Sequence, residues 1–484
     1  METRIDRYGA SNDLAGLPAR SFVLTNSQRG TAVCSLRWFY GHGLGLVRDA
    51  TPPMRMGTAW GGVMQDVWSW WAVPDRGPYP DPDFTSGVCR WCGGLNPGLG
   101  CFACGSTGLD PIARARRGFL EYQARLEHPE KTAEEVEHDA ETLRRAARGY
   151  LIRYGTTGPD TMRVLAVEVP IVRQVLRPDG GEYRPEVPVV ADGDGWRFAL
   201  PTDRASDTTR VRWPWFVAGK LDVLAVDRGT GRGLHVEHKY GSQVSRYVHM
   251  LTHDTQTPTY QWLIEGAVQR ARTSPIDAPG WAREIARTTQ PGEEMAGYYL
   301  DFTSSGFHYD ARQLASKPTK ANPDPAPVLS TAASPTVPSW LYEEAVERLG
   351  LWSDGRVDGE KRAEYRDHIA KLRRDVDRKL YYREWTAVGR SDVRRLEIEL
   401  YHSARDLAAA RRRIVEFDDL DPAELALRYP RTMVCNLPGG GCAFRGPCTQ
   451  DGPDVRARYA VRPTQSWTTD TDTQPDEVVD DLGF

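Results

Sequence analysis

The chain has 484 residues, 40% of them apolar and 26% charged, with a formal net charge of −4. That length can bury a substantial core, and no apolar run reaches the roughly 18 residues of a membrane span. The near-neutral charge excludes a uniformly basic surface, so any contact with nucleic acid must come from a local patch.

The opening METRIDRYGASNDLAG lacks the apolar centre of a secretory signal, and a cytoplasmic location is expected. Residues 21–47 read as a short helical entry carrying Cys34. Residues 57–72, GTAWGGVMQDVWSWWA, read as an apolar helix. Next comes CRWCGGLNPGLGCFACG, which sets Cys89, Cys92, Cys101 and Cys104 in two C-x-x-C turns, each followed by Gly. Each turn presents two thiolates, and two turns close a tetrahedral site, so the spacing points to structural Zn²⁺. Disulfides are the alternative, and they would need an oxidising compartment.

Residues 111–150 are amphipathic and charged, as in a solvated helix. RVLAVEVPIV, 163–172, reads as a strand, and 173–213 is broken. GKLDVLAVDRGTGRGLHVEHKYG, 219–241, reads as two strands around a Gly-rich turn from Asp227 to Gly233. DTQTPTYQWLIEGAVQRA, 254–271, reads as a helix capped by Asp254 or Thr255, with Pro258 tolerated in the first turn. Pro-rich 317–340 is a linker or strap, and helices are predicted over 339–350 and 359–415. CNLPGGGCAFRGPC then carries Cys435, Cys442 and Cys448. Together with Cys34 these are either separate buried thiols or one metal centre joining the two ends of the chain. Four thiolates suit zinc and iron–sulfur alike. The tail after Arg462 is acidic and polar, as in a disordered segment. No G-x-x-x-x-G-K-[ST] loop is present, so no nucleotide-driven motor is encoded.

The hairpin holds the chemistry. A charge inside a sheet is costly unless paired or bound to a metal. Glu237 and Lys239, two apart on a strand, share a face, and the turn brings Asp222 to the neighbouring strand. Two carboxylates on adjacent strands form a hard oxygen site for Mg²⁺ or Mn²⁺, and an ammonium beside it can stabilise charge developing on phosphorus. Only eight of the 62 basic residues are Lys, so a Lys at 239 is a choice against the chain's own bias toward Arg. Gln256 and Tyr260, four apart, fall on one face of the next helix. Taken alone, D…E-x-K is a weak pattern that solvent-facing edge charges also produce.

With G-x-x-D before it and Q-x-x-x-Y after it, the run GKLDVLAVD, VEHK, DTQTPTY resembles the successive motifs of the PD-(D/E)XK nuclease superfamily, and specifically its RecB-like branch. The split Cys34, Cys435, Cys442, Cys448 set resembles the iron–sulfur members of that branch, which include the AddB nuclease domain, CRISPR-associated exonucleases and bacteriophage homologues. YYREWTAVGRSDVRRLEIELYHSARDLA, leading to YPRTMVCN, is similar to the phage group. The resemblance implies an α/β, restriction-endonuclease-like fold with a mixed central sheet flanked by helices, large helical additions and a small four-cysteine insert. It implies Asp222, Glu237 and the His238 carbonyl as ligands of Mg²⁺ or Mn²⁺, with Glu168 at a further acidic position. Lys239 would be the catalytic lysine, Gln256 and Tyr260 the substrate-side pair, and the split cysteines the holders of a [4Fe–4S] cluster pinning the C-terminal segment to the N-terminal helix.

Residues 1–75 then read as the N-terminal helical part of the nuclease domain, 76–110 as the zinc-knuckle insert and 111–316 as the nuclease core. The linker follows at 317–340, the C-terminal helical region at 341–462 and the tail at 463–484. Two departures stand out. Gly61 occupies the place where relatives carry a metal-contacting His in G-x-x-x-H, with Gln65 or Asp66 one turn on as substitutes, Asp66 reading equally as a surface charge. Six residues separate Cys435 from Cys442 where relatives usually have two. The implied function is metal-dependent DNA exonucleolysis in DNA processing, recombination or replication. The alternatives are a catalytically weak DNA-binding scaffold on the same fold, and a zinc-ribbon interaction protein recruited by a partner through the acidic tail DEVVDDLGF.

Overall fold

The computed structural model describes residues 22–25, 46–47, 52–74, 76–94, 107–126, 129–156, 158–192, 195–199, 204–242, 256–305, 337–348, 359–387, 389–414 and 460–461. Cys34, Cys101, Cys104, Cys435, Cys442 and Cys448 lie outside these residues, as do the cap candidates Asp254 and Thr255, most of the Pro-rich segment and the acidic tail.

The expected mixed sheet flanked by helices is the core of the molecule. Its long central strand is β7 (Trp215–Asp227). One edge of β7 is lined throughout by antiparallel β3 (Met162–Gln174). The other edge is shared: β1 (Phe22–Thr25) pairs in parallel with residues 215–218, and β8 (Gly233–Gly241) pairs antiparallel with residues 223–226. Beyond β8 lie parallel β9 (Met295–Ser304) and antiparallel β10 (Tyr381–Thr386). The β7–β8 turn is closed by Asp227, whose N–H reaches Arg232 O at 2.9 Å and whose carboxylate accepts from Thr230 N and Oγ1 at 2.7 and 2.8 Å. Gly231 takes the left-handed φ of +69° that the turn needs.

Helices cover both faces. On one side, α1 (Pro52–Trp71) and α3 (Ala133–Tyr154) bury Trp60, Val63, Met64, Val67, Trp68, Leu143, Ala147 and Tyr150 against Val223, Ala225, Leu234 and Val236. The helices α6 (Ser339–Arg348) and α7 (Gly359–Asp375) complete that layer. On the other side, α4 (Gln256–Thr273), α5 (Gly280–Thr288) and α9 (Arg390–Ile414) pack on Leu221, Leu224 and Val226. Between α1 and α3 lies α2 (Pro111–Arg125), started by Asp110, whose side chain accepts from Ala113 N at 2.7 Å. The single amphipathic region expected over 111–150 is therefore two helices. A Thr132–Glu135 capping box opens the second.

Other expectations need correction. Residues 22–25 form a strand, β1, inside the stretch read as a helical entry. The helix predicted over 359–415 is broken after α7 by the short α8 (Asp377–Leu380) and by β10, whose YYREWT lies along β9. The broken 173–213 region holds a separate three-stranded antiparallel sheet of β4 (Glu186–Asp192), β5 (Gly195–Phe198) and β6 (Thr208–Arg212), against which α9 packs. A last ladder pairs β2 (Leu46–Val47) with β11 (Ala460–Val461), tying an early segment to a late one. Among the described residues no helix is long and apolar enough to cross a membrane.

Candidate active site

The shared edge of β7 explains where the polar side chains gather. β1 leaves β7 after Ala218 and β8 joins it only from Val223, so on that edge residues 219–222 have no strand partner among the described residues. The β7–β8 ladder stops at Val223–Val236, and the next pair outward would be Asp222 and Glu237. In place of a ladder bond, the His238 N–H donates to Asp222 Oδ2 at 2.7 Å. The N–H and C=O of one strand residue point to the same side, so the His238 carbonyl also faces this opening.

Glu237 and Lys239 share a face of β8, as their spacing requires. Glu237 is 4% exposed. Its Oε1 accepts from Lys239 Nζ at 2.7 Å and from Gln256 Nε2 at 3.0 Å. The same Gln256 nitrogen lies 2.9 Å from the Tyr260 hydroxyl. Glu237 Oε2 makes no hydrogen bond and stands 3.3 Å from Nε2 of buried His235. The Tyr260 ring meets His235 edge-on at 5.0 Å and lies over Gly219, where an added Cβ would fall 2.6 Å from Tyr260 Cε1. Gly219 is thus required for close approach of α4 to β7.

Glu168 lies in β3 between the pairs Val167–Val223 and Val169–Leu221, which sets it opposite Asp222. Its φ of +55° is left-handed, a strained state for a residue with a Cβ. Its carboxylate pairs with Lys220. Burial, then the charges of Glu237 and Glu168, push the Asp222 carboxyl well above the ordinary range. Burial also acts to raise Glu237, but Lys239 and then His235 outweigh it and hold that carboxyl at about 2. One carboxylate is held ionised and its neighbour is pressed to keep a proton, a mutual strain that a divalent cation between them would relieve. Among the described residues no three His, Cys, Asp or Glu side chains form a ready metal cage. A cation here would draw on two carboxylates, a main-chain carbonyl and water, the hard oxygen set that suits Mg²⁺ or Mn²⁺.

The His238 side chain points to the other face of the sheet. It lies under Trp68 (ring centroids 5.4 Å apart), with Nδ1 3.3 Å from Asp301 Oδ2. Asp301 on β9 is gripped by Arg383 of β10 and accepts from the Tyr150 hydroxyl. Sequence reading passed over both residues. Asp301 carried a usable signal, a lone acid in the apolar run MAGYYLDFTS. Arg383 was hidden by the helix expected through β10.

α1 also packs against that second face, through Trp60 on Tyr240 and Trp68 on His238. A Cβ at Gly61 would meet nothing within 4 Å. Asp66, weighed as a substitute for the missing His or as a surface charge, is neither. It is buried and accepts from the Tyr79 hydroxyl, from Arg90 Nη1 at 2.8 Å and from Trp91 Nε1 at 3.0 Å. These three partners belong to the excursion that carries Cys89 and Cys92, so Asp66 anchors it to α1. Arg76 adds a second fastening, its guanidinium 4.2 Å from the rings of both Trp70 and Trp91. Cys89 is buried beside Trp91 and Cys92, neither thiol is in a disulfide, and Gly93 and Gly94 follow with left-handed φ of +60° and +71°.

Set against known proteins, residues 29–387 match the family model of the PD-(D/E)XK nuclease superfamily. No curated protein matches the chain.

Proposed function

The chain belongs to the PD-(D/E)XK nuclease superfamily, the match spanning most of its length, and from that premise we propose that it is a divalent-metal-dependent DNA exonuclease whose site is the opening between β7 and β8. The observation that carries the proposal is the convergence of Asp222, Glu237 and Lys239 where the two strands part. Asp222, Glu237 and the His238 carbonyl would hold Mg²⁺ or Mn²⁺, with Glu168 nearby as a further acid. When bound, the ion supplies Lewis-acid stabilisation of charge on the phosphodiester oxygens.

The chain's own residues do the rest. Lys239, paired with Glu237, presents its ammonium, on a side chain 19% exposed, to the charge that builds on the phosphate as water attacks. Gln256 holds Glu237 Oε1 from the α4 side, and Tyr260 sets Gln256, so that the carboxylate is fixed before substrate arrives.

The finer assignment is to the RecB-like, iron–sulfur branch, acting in DNA processing, recombination or replication of a bacterium or phage. Its support is the split Cys34, Cys435, Cys442, Cys448 set, together with the β2–β11 ladder that joins the chain segments flanking it. Structural zinc at Cys89, Cys92, Cys101 and Cys104 draws support from the two left-handed glycines after Cys92 and from the fastening of the excursion to α1. A second reading, a DNA-binding scaffold with weak cleavage, is favoured by one observation, the absence of a side chain at Gly61.

End-labelled single- and double-stranded DNA with Mg²⁺ or Mn²⁺ separates the readings. The wild type is expected to release mono- or short oligonucleotides from ends, and Lys239→Ala to bind DNA without cutting it. Binding without cleavage by the wild type supports the scaffold and overturns the exonuclease. Iron content with visible absorbance that disappears in Cys448→Ala tests the cluster, and loss of one zinc per chain in Cys89→Ser tests the insert.

A further inference from the structure

His238 is used from both sides. Its main-chain N–H serves Asp222 on one face of the sheet, while its imidazole is enclosed on the other. The enclosure is a largely buried ionic network, the side chains of His238, Asp301 and Arg383 being 5%, 0% and 14% exposed. His238, Asp301 and Arg383 form a row across β8, β9 and β10 in direct register. Asp301, 1% exposed, receives Arg383 Nε on Oδ1 at 3.2 Å and Nη2 on Oδ2 at 2.9 Å. The Tyr150 hydroxyl donates to Oδ2 and accepts from Arg383 Nη2 at 3.0 Å and Trp68 Nε1 at 3.2 Å. His238 Nδ1 stands 3.3 Å from Oδ2, in contact but without the geometry of a hydrogen bond. Four elements, α3, β8, β9 and β10, thus meet at one carboxylate, and α1 joins them through Trp68 on Tyr150. A buried ion pair is seldom more stabilising than the apolar packing that could replace it. What it supplies is fixed geometry, and the residue it fixes has its peptide in the site.

We propose that Asp301, locked by Arg383 and Tyr150, is a positioning residue: it holds the His238 imidazole and through it the His238 peptide, keeping that peptide's N–H on Asp222 and its carbonyl toward the divalent cation. The inference rests on the metal-dependent reading above. It assigns to the far side of the sheet a control over cation binding, exercised by groups that touch neither cation nor DNA.

The test uses full-length Asp301→Asn, His238→Ala and the double variant, each checked for native circular dichroism. Two readouts are independent of turnover: Mn²⁺ binding without DNA by electron paramagnetic resonance, and amide exchange at His238 without metal. Asp301→Asn is expected to weaken Mn²⁺ binding by about tenfold, the scale of losses when a group behind a metal ligand is removed. It is also expected to speed exchange of the His238 amide and to lower kcat at unchanged KM for DNA. His238→Ala is expected to do the same, and the double variant to lose no more than either single one. A folded Asp301→Asn with wild-type exchange and Mn²⁺ affinity overturns the proposal, as does a double variant whose losses add. Should Asp301→Asn fail to fold, Tyr150→Phe, which removes one donor to Asp301, carries the same expectation in smaller measure, and wild-type values there overturn it. A wild type that neither binds Mn²⁺ nor cuts DNA overturns the metal-dependent reading instead, and the amide exchange still reports whether Asp301 governs the His238 peptide.

Discussion

Replacing Gly219 by Ala tests the chain of contacts from α4 to the site. The new methyl would sit 2.6 Å from Tyr260 Cε1 and 3.1 Å from Leu263 Cδ1. Non-bonded carbons settle at about 3.5 Å or more, so the ring has to retreat by about 1 Å. The Tyr260 hydroxyl lies 2.9 Å from Gln256 Nε2, which donates to Glu237 Oε1 at 3.0 Å. Moving the Tyr260 end of this chain by about 1 Å takes it outside hydrogen-bond range. Overpacking should cost about 1–3 kcal/mol of stability, and misplacement of the Glu237 support about 100-fold in kcat. Thermal unfolding and cleavage of end-labelled DNA measure the two effects separately. The control is Gly118→Ala, on the exposed side of α2 where a Cβ meets nothing within 4 Å. It should leave cleavage unchanged and stabilise by about 0.5–1 kcal/mol through helix propensity. A folded Gly219→Ala protein that cuts DNA at the wild-type rate refutes the argument that Tyr260 and Gln256 preset Glu237.

Asp222→Asn should abolish the stabilisation of the wild type by Mg²⁺ or Mn²⁺, which at 100 times Kd amounts to about 2.7 kcal/mol, while leaving the metal-free protein as stable as before or more so, because two like charges no longer press on that position. An undiminished metal-induced shift in thermal unfolding would contradict this. Burial raises the Glu265 carboxyl, with the Gln261 amide opposing it. From about pH 4.3 upward, the unfolded chain has released a proton that the native state still holds. Stability is therefore lost as pH rises through the native value, and Glu265→Gln should flatten that loss in urea titrations across this range. Asp66→Ala removes the nearer of two carboxylates on the Arg90 guanidinium, whose side chain is 5% exposed, and leaves Asp81 at 3.4 Å. It should cost about 1–3 kcal/mol and open residues 76–94 to protease before the sheet unfolds, and uniform resistance would show that the excursion is fastened elsewhere.

The hairpin was legible because its charges break apolar runs. Asp222, Glu237 and Lys239 contradict a sheet interior unless they share a partner, and strand alternation fixes which of them face one another. Gln256 and Tyr260 followed from helical spacing. Asp301 and Arg383 did not, because their meaning depends on β9 and β10 lying side by side, a pairing between segments far apart in sequence. YYREWT precedes a long helical pattern and was absorbed into it. β1, FVLT, has strand-favouring residues but is only four residues long, too short to stand out until the open edge of β7 is known. Asp66 was misjudged for a related reason: three of its partners come from an excursion whose cysteines drew attention to metal and away from the arginine and aromatic residues that hold it down.

The pairing of Leu46 and Val47 with Ala460 and Val461 has a consequence for biosynthesis. The first of these segments leaves the ribosome hundreds of residues before the second, so this clasp is closed last, after both strands of the hairpin and every helix described have been made. A nascent chain stalled short of residue 460 would already contain Asp222, Glu237 and Lys239 while Leu46 and Val47 still lacked these partners. The order of translation thereby separates assembly of the hairpin and its charged groups from closure of the β2–β11 ladder.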